Sequence, residues 1–371
     1  MLLNNKLCAD AGTVNCPCYL AEHGKCIVCT RLSGADGISR TGKNIEVRSG
    51  DVDRTPVSCD CQWQGVCIYN EYLQNNRCIK ERMMDGISNM QAEVPGERRQ
   101  IRLCKIQKIK WFDDDLAVMR LGVPRGMAEK AALPGSFVFV KSPGAEVCFD
   151  FPVSVLQADY GNSVLEIAVK AVGPKSRALL QQYRNTESPI DDECRKPLET
   201  EAPGWVELRG IYRNGLLGAE KLMKAGVHRS GIQGLSGDTV SKRVLCLTKG
   251  VGIAPVANYI RWSEGRDHID VIADLDKINR EFADYVLQGT DINSLKYSPL
   301  SLNMSWAESE KYDVIIISAS DYYQQNIYIP EAKKVLSNNH TMCCGEGICG
   351  SCICADSGGR EHRNCKDCRV K

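Results

Sequence analysis

The sequence predicts a multidomain α+β and α/β chain: an antiparallel β-barrel, then a domain built on a parallel sheet, with a small Cys-rich module at each end. Three observations carry this. From about residue 98 short apolar–polar alternations follow one another, the period of half-buried strands. After residue 206 the pattern changes to apolar strands alternating with helical segments. The 20 cysteines are segregated, with nine before residue 80, seven after residue 340 and only Cys104, Cys148, Cys194 and Cys246 between. At 371 residues the chain can bury two or three cores, and the changes of texture divide it into 1–97, 98–207, 208–338 and 339–371.

In the barrel region, Gln100–Trp111, Leu116–Leu121, Gly135–Val140 and Val164–Val172 read as strands separated by turn residues. Several short strands in succession suggest an antiparallel barrel. Two segments following strands stand out: Asp150-Phe151-Pro152-Val153-Ser154-Val155, and Gly173-Pro174-Lys175-Ser176-Arg177. In the second, Lys175 and Arg177 bring positive charge and Ser176 a hydroxyl to the start of a helix, groups suited to a phosphate. Read singly, each is equally a solvated turn. Residues 181–205, with Asn185, Pro189, Asp191, Asp192, Pro197 and Pro203, read as a polar connecting loop.

In the α/β region, Val244–Leu247 runs into Thr248-Lys249-Gly250-Val251-Gly252-Ile253-Ala254-Pro255. His268–Asp274 precedes a helix over Ile278–Leu287, and the apolar run Tyr312–Ser318 precedes Ile329–Leu336, read as continuing the strand-and-helix alternation. Strands of this kind form a parallel sheet with both faces covered, and such sheets bind ligands at the carboxyl ends of their strands. Gly250 and Gly252 stand at a strand-to-helix junction, where a bare backbone and a helix N-terminus suit a pyrophosphate. A G-x-G there also serves tight packing alone. Asp274 and Asp276, after the second strand, are placed to hydrogen-bond an adenosine ribose and lean toward NAD, though aspartates at a strand end also serve capping alone.

The C-terminal module carries Cys344, Cys349 and Cys352 in the C-x4-C-x2-C spacing of plant-type [2Fe–2S] centres, with Cys365 available as fourth thiolate. Gly345, Gly347 and Gly350 allow a loop to wrap a cluster closely. Zinc is the alternative, but its ligands usually come as separated C-x2-4-C pairs. The N-terminal module offers Cys16, Cys18, Cys26, Cys29, Cys59, Cys61 and Cys67, close pairs that would draw a small coreless segment around a metal, iron–sulfur or zinc.

Composition excludes some functions. A net charge of +1 gives no reason to expect nucleic acid or a membrane surface as partner. No apolar run approaches the length of a bilayer span. The first ten residues lack the apolar core of a signal peptide. Many cysteines without an export signal point to a reducing compartment, the cytoplasm, and to metal ligation rather than disulfides.

From about residue 98 to the end, the order of these motifs resembles the electron-transfer subunit of dihydroorotate dehydrogenase, within the ferredoxin–NADP reductase superfamily, and more loosely sulfide- or dihydroorotate-dehydrogenase-like FAD/NAD-binding proteins. Pro134-Gly135-Ser136-Phe137-Val138 is similar to the family's P-G-Q-F-V. Phe151-Pro152-Val153-Ser154-Val155 falls where it has R-P-I-S-I, at the flavin. Val172-Gly173-Pro174-Lys175-Ser176 falls where it has V-G-x-G-T, at the flavin phosphates. Arg209 to Asn214 and Gly215 are similar to G-P-x-G-N-G, and Gly250 to Pro255 to G-G-x-G-x-A-P, the nicotinamide-nucleotide turn. The resemblance implies a flavin-binding barrel with FAD at Phe151–Ser154, Val172, Gly173, Lys175, Ser176, Arg177, Asn214 and Gly215. It implies NAD(P) at Gly250, Gly252, Ile253, Ala254 and Pro255, one [2Fe–2S] cluster, and a partner redox protein. There are departures. Phe151, with Asp150 beside it, stands at the flavin-motif arginine, Lys249 at the first glycine of the nucleotide turn, and Ser318-Ala319-Ser320-Asp321 at the usual C-G-P. The alternative is a non-catalytic iron–sulfur or zinc redox or assembly module on a degenerate reductase scaffold. The N-terminal Cys module has no counterpart in the subunit.

Overall fold

The computed structural model describes residues 99–145, 150–184, 199–200, 204–223, 241–302, 306–340, 342, 345, 352–355, 361–368 and 370. The N-terminal module, with Cys16, Cys18, Cys26, Cys29, Cys59, Cys61 and Cys67, lies outside the described residues, as do Cys344 and Cys349. The chain divides into two compact units, one holding the barrel and the parallel sheet, the other the C-terminal cysteines.

The barrel comprises β1 (Gln100–Asp113), β2 (Leu116–Gly122), β3 (Phe137–Lys141), β4 (Phe151–Asp159), β5 (Val164–Lys170) and β7 (Gly204–Tyr212), with α1 (Arg125–Ala131) after β2 and α2 (Pro174–Arg184) after β5. The strand order is β2-β5-β4-β3-β7-β1, and β2 pairs with β1 to close it, all antiparallel. The two-residue β6 (Glu199–Thr200) adds to β1. Inside lie Ile106, Met119, Val138, Val153, Val155, Ile167 and Val206 among others, each under a tenth exposed. Closure leaves the ring without an unpaired edge.

Two strands sit where the sequence reads as turn or loop. Phe151–Ser154 belongs to β4 itself, with Pro152 near its start, where a missing N–H is tolerated. The proposed 181–205 loop is interrupted at both ends, by the last turn of α2 and by the start of β7, whose Val206 and Leu208 face the core. A register shift between Val155 and Gln157 marks a bulge in β4. It lets neighbours diverge: Val155 enters the barrel core, while Leu156 turns to the core outside.

That outer core belongs to the second layer. Its strands are β8 (Leu216–Leu217), β9 (Arg243–Lys249), β10 (His268–Asp274), β11 (Ser294–Tyr297), β12 (Val314–Ser318) and β13 (Lys334–Ser337). They are ordered β11-β10-β9-β12-β13-β8, all parallel except β8. The helices are α3 (Ile253–Ser263), α4 (Arg280–Leu287), α5 (Trp306–Glu310) and α6 (Asp321–Asn326). Ile329–Leu336 is not a helix. Val335 and Leu336 enter the sheet as β13, and the helix after β12 is α6. Both sheet faces are buried, so β12 is apolar at consecutive positions: Val314 and Ile316 face one core, Ile315 and Ile317 the other. Each such side chain contributes about 1.5–3 kcal/mol. The first core is shared with the barrel, whose Phe112, Leu116, Val118, Leu156 and Ala168 pack with Ile253, Ala257, Phe282 and Val286. Asn258 Nδ2 donates to Ala131 O (3.3 Å), Arg261 Nη1 to Leu156 O (3.2 Å) and Asn279 Nδ2 to Phe112 O (2.5 Å) across the same seam.

In the other unit, β14 (Ile353–Ala355) and β15 (Glu361–Arg363) form an antiparallel pair, with Ile353 opposite Arg363. Among the described residues no helix is long and apolar enough to cross a membrane.

The chain doubles back at the glycine turn after β9. A Cβ on Gly252 would lie 2.2 Å from Ser318 O, whereas one on Gly250, at φ +56°, would meet nothing within 4 Å. Gly252→Ala is therefore expected to destabilise the protein by about 1–3 kcal/mol through overpacking. Gly250→Ala should cost only the left-handed backbone penalty of about 1–2 kcal/mol. Urea titration of both variants checks the order, and a Gly252→Ala protein as stable as wild type would show that the two backbones are not held in contact.

Candidate functional site

The sheet reverses direction between β9 and β12: β9 is followed outward by β10 and β11, and the chain then returns to add β12 on β9's other side. Such a switch point opens a crevice at the carboxyl ends of the two strands. There the structure brings together Thr248, Lys249, Gly250, Gly252 and Ser318. Thr248 and Ser318 are register partners, 1% and 0% exposed, and neither hydroxyl has a hydrogen-bond partner among the described residues. A Cβ built on Gly252 would stand 3.0 Å from Ser318 Oγ, so this hydroxyl lies against the glycine turn. Buried hydroxyls rarely stay unpaired, since the lost hydration costs about 1–3 kcal/mol each. Gly250 and Gly252 form a 3-10 turn leading into α3, where Ile253, Ala254 and Pro255 are buried in the first turn. Pro255 is tolerated there because the first N–H groups of a helix have no internal acceptor.

Lys249 closes one side of this crevice. Its Nζ donates to Asp274 Oδ2 (2.7 Å), lies 3.6 Å from Asp276 Oδ1 and 5.3 Å from the Tyr323 ring centroid. Asp274 also accepts from Leu300 N and Asp276 N, both at 3.1 Å. Burial pushes the Asp274 carboxyl upward, but the Lys249 and backbone donors outweigh it and hold the group below its ordinary value. For Lys249, burial lowers and the two aspartates raise, leaving the ammonium above its usual range. The Asp274 carboxylate is thus already engaged by three donors.

The barrel's candidate residues fall in three settings. On β4, Val153 points into the barrel core, while Pro152 is exposed and Ser154 half-buried on the other face, with Phe151 partly buried. At the head of α2, Gly173 N donates to Ser176 Oγ and Ser176 Oγ to Gly173 O, both 3.1 Å, a local cap. Val172 and Arg177 are exposed, and Lys175 Nζ donates to Asp150 O (3.0 Å). Asn214 and Gly215 serve a joint. Gly215 N donates to Gly135 O (2.9 Å), Asn338 N to Gly215 O (2.9 Å) and Asn338 Nδ2 to Asn214 O (2.9 Å). A Cβ on Gly215 would lie 2.8 Å from Gly135 O, so this glycine is a packing requirement.

One buried cation was quoted in the motif reading without a role of its own. Arg209, on β7 and 4% exposed, donates through Nε (3.0 Å) and Nη2 (2.7 Å) to Asp150 Oδ2 and through Nη1 to the Tyr212 hydroxyl. Its guanidinium lies 4.3 Å from the Phe139 ring centroid. In register, Phe139 stands between Pro152 and Arg209. A cation absent from the β4 motif thus returns two strands away, paired with the acid that precedes that motif. An acid directly before a motif that has lost its arginine was the available signal.

In the C-terminal unit, Cys352 and Cys365 are 5% and 1% exposed, and neither forms a disulfide. Cys365 N donates to Cys352 Sγ (3.4 Å) and Asn364 N to Cys352 O (3.0 Å). The β14–β15 pair is what brings these cysteines, thirteen residues apart, to one end. A thiolate accepting a backbone N–H suits a metal–sulfur centre. Among the described residues, no three His, Cys, Asp or Glu side chains gather into a metal site.

No known family profile matches the sequence, and no curated protein matches it. Solved structures do resemble its fold. An NADH-dependent reduced ferredoxin–NADP oxidoreductase is 16% identical with a TM-score of 0.43, over 74% of this chain and 92% of its own. Phthalate dioxygenase reductase is 14% identical with a TM-score of 0.39, over 71% and 75%. The cytochrome b5 reductase domain of Ulva prolifera nitrate reductase is 12% identical with a TM-score of 0.37, over 64% and 97%. Each is a likeness of fold alone.

Proposed function

We propose that this protein is an electron-transfer flavoprotein, an NAD(P)H-dependent oxidoreductase that exchanges electrons with a partner redox protein through FAD and a C-terminal [2Fe–2S] cluster. The observation that carries the reading is the switch-point crevice. An open-faced glycine, a helix N-terminus and two buried hydroxyls lacking partners among the described residues converge where parallel sheets take their ligands. The residue types suit the three groups. Thr248 and Ser318 would hydrogen-bond a nucleotide, and the N–H groups of the Gly250–Gly252 turn would face its phosphates. Pro152 and Ser154 would lie against FAD, with Lys175, Arg177 and the α2 N-terminus toward its phosphates. Cys344, Cys349, Cys352 and Cys365 would hold the cluster, and Cys16, Cys18, Cys26, Cys29, Cys59, Cys61 and Cys67 a second iron–sulfur or zinc site. When bound, the nucleotide and FAD supply hydride exchange and the cluster one-electron transfer. The chain's own work is to position and to exclude water, so no residue is assigned as a catalytic acid or base.

A second reading is a carrier or assembly module that has lost nucleotide turnover. The Lys249–Asp274 pair favours it, because a carboxylate held by three donors has less capacity for a ribose.

Anaerobically purified protein is expected to show flavin bands over a broad iron–sulfur absorption, both bleached by NADH or NADPH. Cluster absorption with no response to either nucleotide would move the protein to the second reading, and a colourless zinc protein would remove the first. In Cys352→Ser and Cys365→Ser, iron and acid-labile sulfide should fall together while flavin content stays at the wild-type level.

The hydroxyls give a sharper test. Thr248→Val replaces an unpaired buried hydroxyl by an isosteric methyl, so the nucleotide-free protein should keep or gain stability, by up to about 1–2 kcal/mol. Its affinity for NADH should fall about tenfold or more. Unchanged affinity would take Thr248 out of the site. Lys249→Gly, which releases Asp274, is expected to tighten NADH binding several-fold while leaving NADPH binding little changed. Equal effects on both would show that the pair does not address the ribose.

A further inference from the structure

The helix that follows β12 brings aromatic side chains to the mouth of the switch-point crevice. Gly252 lies against the carbonyl of Ser318, and α6 begins shortly after it, at Asp321. The helix is fastened to the sheet beneath it. Gln324 Nε2 donates to Ala319 O (3.0 Å) and to Ser337 O (2.8 Å), and Ile327, 0% exposed, joins the core on that sheet face. Asn339, just past β13, donates through Nδ2 to Ala319 O (2.6 Å) and to Asp321 Oδ1 (3.1 Å). The first turn of α6 is therefore held at the carboxyl ends of β12 and β13, the same edge of the sheet at which β9 ends in Lys249.

Two tyrosines in that turn have opposite surroundings. Tyr323 is half-buried against the core, with Lys249 Nζ 5.3 Å from its ring centroid. Tyr322 is 59% exposed, and its ring stands at 89° to that of Tyr323, with 5.5 Å between centroids. Two contacts thus join an exposed ring to the residue that opens the glycine turn: Tyr322 to Tyr323, and Tyr323 to Lys249. An edge-to-face contact orders an aromatic ring without covering it. A ring ordered before its ligand arrives forfeits less freedom when a flat group stacks on it.

We propose that Tyr322 is the stacking platform for the purine base of a nucleotide bound at the crevice. The inference rests on the reading of the switch point as a nucleotide site, and it adds the residue that takes the base. The N–H groups of the Gly250–Gly252 turn suit the phosphates, which leaves the base as the part of the ligand with a flat apolar face. Tyr322 supplies the matching surface, and Tyr323 is the positioning residue that holds it. Stacking on an aromatic ring engages the face of a base and not its hydrogen-bonding edge. Hypoxanthine should therefore be accepted as well as adenine, and a sugar phosphate without a base should bind far less.

The test is calorimetric titration of the full-length holoprotein with AMP, inosine monophosphate and ribose 5-phosphate. AMP and inosine monophosphate are expected to bind wild type about equally, with Kd on the order of 0.1–1 mM, and ribose 5-phosphate about tenfold or more weakly. Tyr322→Ser should weaken both purine nucleotides by about tenfold and leave ribose 5-phosphate unchanged, with thermal melts matching wild type. Tyr322→Phe, which keeps the ring, should bind as wild type. Tyr328→Ser, which alters another exposed tyrosine just past the same helix, should also bind as wild type. A Tyr322→Ser protein that binds AMP as wild type, a loss shared by ribose 5-phosphate, or an equal loss in Tyr328→Ser would overturn the proposal. AMP that fails to bind while NADH still bleaches the flavin would overturn the platform and leave the nucleotide reading standing. Failure of both would remove that reading and the platform with it.

Discussion

The apolar seam between the barrel's outer face and the helices α3 and α4 is the contact on which the first compact unit depends. A closed barrel satisfies its own backbone and needs no neighbour, yet this one carries Phe112, Leu116, Val118, Leu156 and Ala168 outward, all under a tenth exposed. A parallel sheet, in contrast, cannot stand with a bare face. The seam meets both conditions at once, and the β4 bulge that separates Val155 from Leu156 is the device that lets one strand serve two cores. Phe112 makes the join specific: its ring meets Phe282 edge-on at 5.3 Å and Tyr285 at 5.2 Å, and its carbonyl accepts from Asn279.

With that join made, the carboxyl ends of β9 and β12 face the same side, and two departures from the resembling motifs acquire a physical account. Each is answered by an ion pair. Asp150 meets Arg209, and Lys249 meets Asp274. Neither pair is good evidence for stability, because desolvation offsets most of the Coulomb gain at buried sites. What they do is consume charge: Arg209 spends two of its donors on Asp150, and Asp274 already accepts from Lys249, Leu300 and Asp276. A ligand at either place meets compensated charges and exposed backbone, not bare ions.

Much of the architecture was legible from periodicity. The runs at Gln100, Leu116, Val164, Val244, His268 and Tyr312 appear as strands because long alternating or continuous apolar runs leave few alternatives. What escaped the reading was short or punctuated. β4 hid behind Pro152, β7 behind the Pro203-Gly204 start, and β13 is only four residues long, with Pro330 and charged residues ahead of it. For the candidate site, the glycine turn was legible and the meaning of its glycines was not. Gly252 is small because a backbone carbonyl lies against it, a fact of tertiary packing with no local signal. The hydroxyls of Thr248 and Ser318 were invisible for the same reason, since only strand pairing reveals that they share a register.

The contrast between satisfied and unsatisfied polar groups then orders the sites. The Asn214–Gly215 joint and the Ser176 cap are internally bonded, and structure alone accounts for them. Thr248 and Ser318 are different, because folding has stripped them of water without returning a partner among the described residues. A fold can carry that deficit of about 1–3 kcal/mol per group when a bound molecule repays it. Trp111 Nε1 and Asn258 Oδ1 share that deficit among the described residues, but only at the switch point do two such hydroxyls stand as register partners beside a glycine turn. Replacing either hydroxyl by an apolar isostere should cost the isolated chain little, so under the proposed function the change would be read in ligand affinity rather than in stability.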